Sequence, residues 1–463
     1  MTAFASGRAR AGTAPSRAGA SGRALTHARA PVAAAALLAI ATALATTSAA
    51  AMPLPERTVL SSGVTVLTLP SREAGLASVA VFTRHGGTAY DPRGREGVGL
   101  LAHRMMLHGS TRRDAATVAA VLDSLGARRA AESDVELGSI TLTATAETFA
   151  PSLEVLLECL AEPAFDSLEV ERERASLLKE IGAREDRLMM RAFDLAQEAY
   201  FGEHPYHAPP LGYAGSVAGL TRESVVEYHR RHFVPSDLVV SVAGEFDAER
   251  TLDAIDATFA GLEAAAERPA GLESAAPPAP AERTEKRRSQ ATWMVAAFPA
   301  PPQGSTDEAP FAVLRAVLGG SMGSRLFHEL RDKRSLAYEV GGVYRAGVHG
   351  SFLAAYIGTR EPFETARDAL VGEVRRTLVD PASAVEVSDA RSMVRGHHLL
   401  RLERNEERAR FYGAAESLGL GVEYGNAFLA AVAAVTPDDV QRVAERYLTG
   451  AVVAAVVPEG SGS

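Results

Sequence analysis

Residues 221–245, TRESVVEYHRRHFVPSDLVVSVAGE, are written a second time near the end of the chain as residues 436–459, TPDDVQRVAERYLTGAVVAAVVPE. In each copy a threonine precedes a helical run, where its hydroxyl can accept from the free amides of the first turn. Each helix leads into an apolar run, 238–243 in one and 452–457 in the other, of the length of a strand buried on both faces. Thr221 aligns with Thr436, Val225 with Val440, Phe233 with Leu448 and, after a one-residue deletion, Val239 with Val453; an acid, Glu245 or Glu459, follows each strand. A period of about 215 residues is too long for a solenoid. It predicts a duplication: an α+β fold of two homologous domains, each a mostly antiparallel sheet packed with helices.

Outward from this repeat the pattern holds. TVLSSGVTVLTLP, residues 58–70, reads as a hairpin around Ser61-Ser62-Gly63, and Leu76 to Arg84 as a further strand. Helices are expected at 98–105, 115–125, 152–161, 167–187 and 190–201, with a strand at 139–145. The stretch from Ala264 to Ala281 is rich in Ala, Glu and Pro and predicts an exposed linker. The expected organisation is therefore a first domain over 54–263, a linker over 264–287 and a second domain over 288–460.

The first fifty residues stand apart. Arg8, Arg10, Arg17, Arg23 and Arg29 occur with no acid, then an apolar run from Val32 to Ala45, then small residues up to Ala51. That order predicts a secretory signal over 1–51; a mitochondrial transit peptide shares the arginines but would be amphipathic instead of carrying a continuous apolar block. No cysteine lies near the expected cut, which argues against a lipid anchor. The expected location is periplasmic or secreted, with no membrane span left after cleavage. Losing 1–50 moves the net charge from −9 to −14. Such an acidic chain has little to offer a phosphate backbone, so nucleic acid is not an expected partner. Cys159, the lone cysteine, sits in an apolar helical pattern and reads as a small buried residue.

Two further stretches carry chemistry: EGVGLLAHRMMLHGS at 96–110 and LRDKRSLAYEV at 330–340. With His204-Pro205-Tyr206, Leu211-Gly212, Leu318-Gly319-Gly320 and Ser324-Arg325-Leu326-Phe327, they form a frame that resembles the pitrilysin and insulinase family of zinc peptidases, whose inverted motif is His-x-x-Glu-His. The resemblance covers essentially everything after the leader. It implies that the two domains form half of a peptidase clam shell. In that frame Leu100 and Arg104 stand where the metal histidines belong, His103 where the catalytic glutamate belongs, and Glu180 where the distal carboxylate ligand belongs.

A catalytic zinc needs three protein donors and an open position for water. Leucine has no lone pair, and a guanidinium stays charged and accepts nothing. No zinc is therefore expected in this chain, and an Arg104–Glu180 ion pair is expected in its place. His103 and His108 read either as polar helix residues or, with Glu180, as substitute ligands. Set five apart, they lie about 140° round a helix from each other, which disfavours the second reading. His204, His207, His229 and His232 read as solvated side chains, each able in principle to ligate a surface metal.

In the second domain Arg331 and Tyr338 match the family's Arg/Tyr pair, which the resemblance implies would act in trans on a substrate held by another chain's zinc. A cation and a hydroxyl donor placed in advance suit an anionic tetrahedral intermediate. Arg325 reads as structural. The resemblance thus implies a non-catalytic subunit that binds peptide and partners a homologous zinc-bearing peptidase subunit. The alternatives are a stand-alone peptidase with rearranged ligands and a scaffold with no catalytic role.

Overall fold

The computed structural model describes residues 52–72, 74–262 and 271–460; the expected signal at 1–51 and residues 264–270 of the expected linker lie outside the described residues. The first half runs β1 (Glu56–Val59), β2 (Thr65–Pro70), β3 (Leu76–Thr83), α1 (Val98–Met105), α2 (Ala115–Ser124), β4 (Arg128–Ser133), β5 (Gly138–Thr145), α3 (Phe149–Ala161), α4 (Ser167–Glu185), α5 (Leu188–Phe201), α6 (Ala214–Ala218), α7 (Arg222–His232), β6 (Leu238–Gly244) and α8 (Ala248–Phe259). The second runs β7 (Ala281–Arg287), β8 (Thr292–Pro299), α9 (Glu308–Gly319), a π-helical segment (Phe327–Lys333), β9 (Glu339–Arg345), β10 (Phe352–Thr359), α10 (Phe363–Arg376), α11 (Ala384–Arg401), α12 (Asn405–Ser417), α13 (Tyr424–Ala434), α14 (Pro437–Tyr447) and β11 (Val452–Pro458).

The duplication is visible in the strand order. The first sheet is β1-β2-β6-β3-β5-β4 and the second β7-β11-β8-β10-β9. Apart from β1, the two orders correspond strand for strand. In each, the strand of the repeated unit pairs in parallel with one neighbour, β6 with β2 and β11 with β7, while the remaining pairs are antiparallel. The repeated helices α7 and α14 are capped alike: Thr221 accepts from the amide of Ser224, and Thr436 from that of Asp439. The hairpin turn at Ser61-Ser62-Gly63 is also present, with Gly63 at φ 94°, a conformation that favours glycine.

One boundary differs from expectation. Residues 281–287, assigned to the linker, form β7 at the edge of the second sheet, in parallel register with β11 from Val452↔Ala281 onward. Its sequence, AERTEKR, is exposed and highly charged, as suits an edge strand that must not recruit another chain.

The central strands of each sheet are buried on both faces, and strand alternation divides their side chains between two cores. From β3, Val79 and Val81 enter one core of the first half, while Ala80 and Phe82 enter another. What fills that other core comes from the opposite half. Helix α12 brings Ala409 and Tyr412 against Leu67, Phe82 and Val239 of the first sheet. A Cβ at Gly413 would lie 2.5 Å from the Phe82 ring, so only glycine allows this approach. Reciprocally, α5 lays Phe193, Ala196 and Tyr200 on Val295, Phe352, Ala454 and Val456 of the second sheet. The equivalent helices of the two halves are thus exchanged, each covering the other half's sheet.

Candidate functional site

Helix α1 carries the stretch that the zinc frame singles out. It begins after Gly97, at φ 100°, and has no side-chain cap of its own. The carboxylate of Asp91 accepts instead from the amides of Gly97 (2.7 Å) and Gly99 (3.0 Å). Leu100 is 2% exposed and belongs to the hydrophobic core of the first half.

His103 is not a solvated residue but 1% exposed. Its Nδ1 lies 2.7 Å from the Gly99 carbonyl and its Nε2 3.1 Å from the Thr83 hydroxyl. A carbonyl can only accept, so Nδ1 carries the proton and the Thr83 hydroxyl donates to Nε2. Burial pushes its pKa down to about 4 and keeps the ring neutral. Gly138 provides the seat: a Cβ there would lie 2.1 Å from the imidazole Cε1.

Arg104 points the other way, onto α4. Its two terminal nitrogens meet the two oxygens of Glu180 at 2.8 Å each, and Nη1 also reaches Glu173 at 3.0 Å. The hydrogen bond to Glu180, opposed by burial and reinforced by Glu173, raises the guanidinium pKa above its ordinary value. The expected Arg104–Glu180 pair is therefore present, with Glu173 as a second acceptor that sequence reasoning missed. The signal was there: Glu173 stands seven positions before Glu180, two turns along the same helix face. His108 joins the cluster, with Nδ1 3.4 Å from Glu169 and Nε2 3.6 Å from Glu173.

These residues do not fit a catalytic zinc. Leu100 donates nothing, the free lone pair of His103 is committed to Thr83, and Arg104 occupies both oxygens of Glu180. The substitute-ligand arrangement fails as well, because His103 faces the sheet while His108 faces α4. Beside the filled position runs a groove of ≈ 930 Å³, lined by Arg104, Leu107, His108, Arg129, Ala131 and Glu173. One wall is β4, the end strand of its sheet, whose outer edge pairs with no other strand among the described residues.

Of the other histidines, His229 and His232 are not solvated in the way expected of them, while His204 and His207 are partly exposed. His232 is 3% exposed and stacks on Tyr228 with ring centroids 4.3 Å apart. His229 is half-buried against Phe165 and Phe233. Burial lowers the pKa of both to about 4. His204 caps the turn at Pro205, and the Nδ1 of His207 bonds the His204 carbonyl. Cys159 is buried, and burial pushes its thiol up to about 11.

Arg331 lies in the π-helical segment, with its guanidinium 4.7 Å from the centre of the Phe327 ring. The Leu330 carbonyl accepts from the amides of Leu336 (2.8 Å) and Ala337 (3.2 Å), closing the loop that separates Arg331 from Tyr338. Tyr338 is 47% exposed and sits edge-on to Trp293. Arg325 is structural: it grips Glu386 at 2.7 and 3.0 Å and bonds the carbonyls of Asp380 and Pro381. Among the described residues no helix is long and apolar enough to cross a membrane.

Comparison with known proteins accords with this geometry. Residues 65–212 match the family described as Insulinase (Peptidase family M16), and residues 219–394 match Peptidase M16 inactive domain. An uncharacterized zinc protease of Streptomyces coelicolor is 27% identical over 363 residues, covering 74% of this chain and 76% of that protein. The fold is shared with a peptidase M16 inactive domain from Pseudomonas fluorescens, at TM-score 0.80 and 19% identity over 88% of this chain and 99% of that one. It is also shared with a chain of complex III2 from Candida albicans, at TM-score 0.75 and 18% identity over 87% and 95%. The two family matches together span most of the described chain, and their boundary falls just before the first copy of the repeated unit: this protein belongs to the insulinase, or M16, peptidase family.

Proposed function

We propose that this chain is the non-catalytic subunit of an extracytoplasmic two-chain zinc peptidase, binding peptide and lending Arg331 and Tyr338 to a homologous, zinc-bearing partner. The observation that carries this reading is an asymmetry. The metal position is filled by Leu100 and an Arg104 already paired to Glu180, whereas Arg331 and Tyr338 remain exposed. The zinc that would activate water, and the base that would serve it, belong to the partner in this scheme. Arg331 supplies positive charge, and Tyr338 a hydroxyl donor, where the oxyanion of the tetrahedral intermediate develops. The end strands β4 and β9 offer a peptide backbone the hydrogen bonds of strand addition. The occurrence of a similarly folded chain within complex III2 is in keeping with a role inside an assembly. The extracytoplasmic location rests on the basic, apolar and small-residue order of residues 1–51.

The test is to purify this chain with a homologue bearing an intact His-x-x-Glu-His and assay peptide cleavage by each alone and by the pair. Cleavage is expected only from the pair. Arg331→Ala and Tyr338→Phe are each expected to lower kcat by about 100-fold, the usual cost of losing one oxyanion donor, with little change in KM. Unchanged turnover in both variants would remove the assigned role and leave a scaffold. Stoichiometric zinc with cleavage by this chain alone would favour the stand-alone enzyme.

A further inference from the structure

Residues 52–55 precede β1, the end strand of the first sheet, yet what holds them comes from the other half. Asn426, on α13, brackets one residue of this segment. Its Oδ1 accepts from the Met52 backbone nitrogen at 2.9 Å, and its Nδ2 donates to the Met52 carbonyl at 3.1 Å. Since one of these groups donates and the other accepts, they fix the orientation of the Asn426 amide. The next carbonyl, of Pro53, accepts from the Tyr412 hydroxyl of α12 at 2.7 Å. Within β1, Arg57 bonds Glu416 of α12 at 3.0 Å. The Met52 side chain is enclosed as well, at 8% exposed. Its methyl group lies over Gly425, where an added Cβ would be 2.5 Å from Met52 Cε and 2.9 Å from the Phe411 ring. Phe411 in turn packs on His398, Tyr412 and Tyr424, with ring centroids 5.2, 5.4 and 6.2 Å away. An unbranched thioether suits so irregular an aromatic niche.

Chain ends are poorly ordered unless something ties them down, and here the tie falls on a single residue, backbone and side chain together. The sequence just before it is Ser48-Ala49-Ala50-Ala51. Removal of a leader requires small side chains at the first and third positions before the cut. Several bonds meet that requirement, those after Ala45, Ala50 and Ala51 among them. Of these, only the bond after Ala51 makes the seated residue the end of the chain.

We propose that Met52 is the first residue of the mature chain and that Asn426, Gly425, Phe411 and Tyr412 form the seat for that terminus. A leader-cleaving endopeptidase hydrolyses the Ala51–Met52 amide, with water leaving a carboxylate on Ala51 and an ammonium on Met52. The nitrogen 2.9 Å from Asn426 Oδ1 then carries the charge, and a hydrogen bond from an ammonium is stronger than one from an amide. Cleavage thereby tightens a clasp that runs from α12 and α13 of the second half into β1 of the first sheet. The inference rests on the leader reading within the proposed function and goes beyond it by naming the terminus and its seat.

The experiment expresses the full chain, leader included, in a Gram-negative bacterium and sequences the amino terminus of the periplasmic product. Met-Pro-Leu-Pro-Glu is expected, and Leu-Pro-Leu-Pro-Glu from Met52→Leu, which has no start codon at that position. Any other first residue, a retained leader, or loss of the product in Met52→Leu would overturn the proposal. The seat is read with an aminopeptidase specific for Xaa-Pro bonds, which removes Met52 only when it is terminal and lifted off Asn426. Asn426→Ala and Gly425→Ala, their folds checked by circular dichroism, are each expected to lose Met52 at least about tenfold faster than wild type. Trimming at the wild-type rate in both would overturn the seat. A periplasmic chain with another first residue, or an unprotected Met52, leaves the partner assay with Arg331→Ala and Tyr338→Phe untouched. A chain confined to the cytoplasm would remove the proposed location as well, so the two readings fail separately.

Discussion

Arg104 holds Glu180 in a two-pronged grip, Nη1 on Oε1 and Nη2 on Oε2, each at 2.8 Å. Arg104, which the zinc frame aligns with a ligand position, thus neutralises the acid that faces it. Removing the guanidinium strands Glu173, whose side chain is 15% exposed, and Glu180, at 44%. Because Glu180 is well solvated, the Arg104→Ala loss should be moderate, about 1–2 kcal/mol in urea unfolding, and smaller at high salt. Arg104→Lys should recover only part of it, since an ammonium has no fork. A midpoint unmoved by Arg104→Ala would show that the pair contributes nothing.

The buried histidines give a pH dependence of defined sign. His103, His229 and His232 have folded-state values lowered to about 4 from an ordinary 6.5. Between those limits the unfolded chain binds more protons, so stability falls as pH drops from about 6.5 towards 4. His103 alone can account for up to about 3 kcal/mol. Comparing the unfolding free energies of wild type and His103→Gln between pH 7.5 and 4.5 cancels the other titrating groups. The variant should show the shallower slope; parallel profiles would mean that His103 carries none of the effect.

Gly138 and His103 should be energetically coupled. Since a Cβ at 138 would penetrate the imidazole at 2.1 Å, Gly138→Ala forces the ring or strand β5 to move and should cost about 1–3 kcal/mol. In a His103→Ala background the same substitution should cost less, the Gly86 carbonyl oxygen at 2.9 Å from the added Cβ being the close contact that remains. A double-mutant cycle measures the difference, and additive losses would dismiss the seat described for the ring.

The exchanged helices predict what happens when the chain is cut in the linker. Residues 52–262 alone lack α12 over Leu67, Phe82 and Val239, and residues 271–460 alone lack α5 over Val295 and Phe352. Each half expressed singly should aggregate or lack fixed tertiary structure by near-ultraviolet dichroism, while co-expression of the two should restore a folded complex. A half that unfolds cooperatively on its own would contradict this dependence.

The duplication was legible because its signals are local: a capping threonine, an apolar run and a following acid sit within 25 residues. The exchange was not, because an amphipathic helix carries no mark of which sheet it will cover. β7 was hidden for a related reason, since AERTEKR has no apolar alternation and owes its place to β11. Within the site, Leu100, Arg104 and Glu180 could be assigned from their spacing to a known frame. The burial of His103 could not, because its partners, Thr83 and Gly138, are far from it in sequence and meet it only through the pairing of β3 with β5.

The exchange also bears on motion. A shell that admits a peptide must open somewhere, and a joint needs a boundary across which few side chains interlock. Here the boundary between the halves is threaded by two helices, and the described residues form one compact body. In a two-chain peptidase of the kind proposed, this subunit would swing as a single rigid jaw. The hinge would lie at its contact with the partner, and the rate of opening would be a property of that contact.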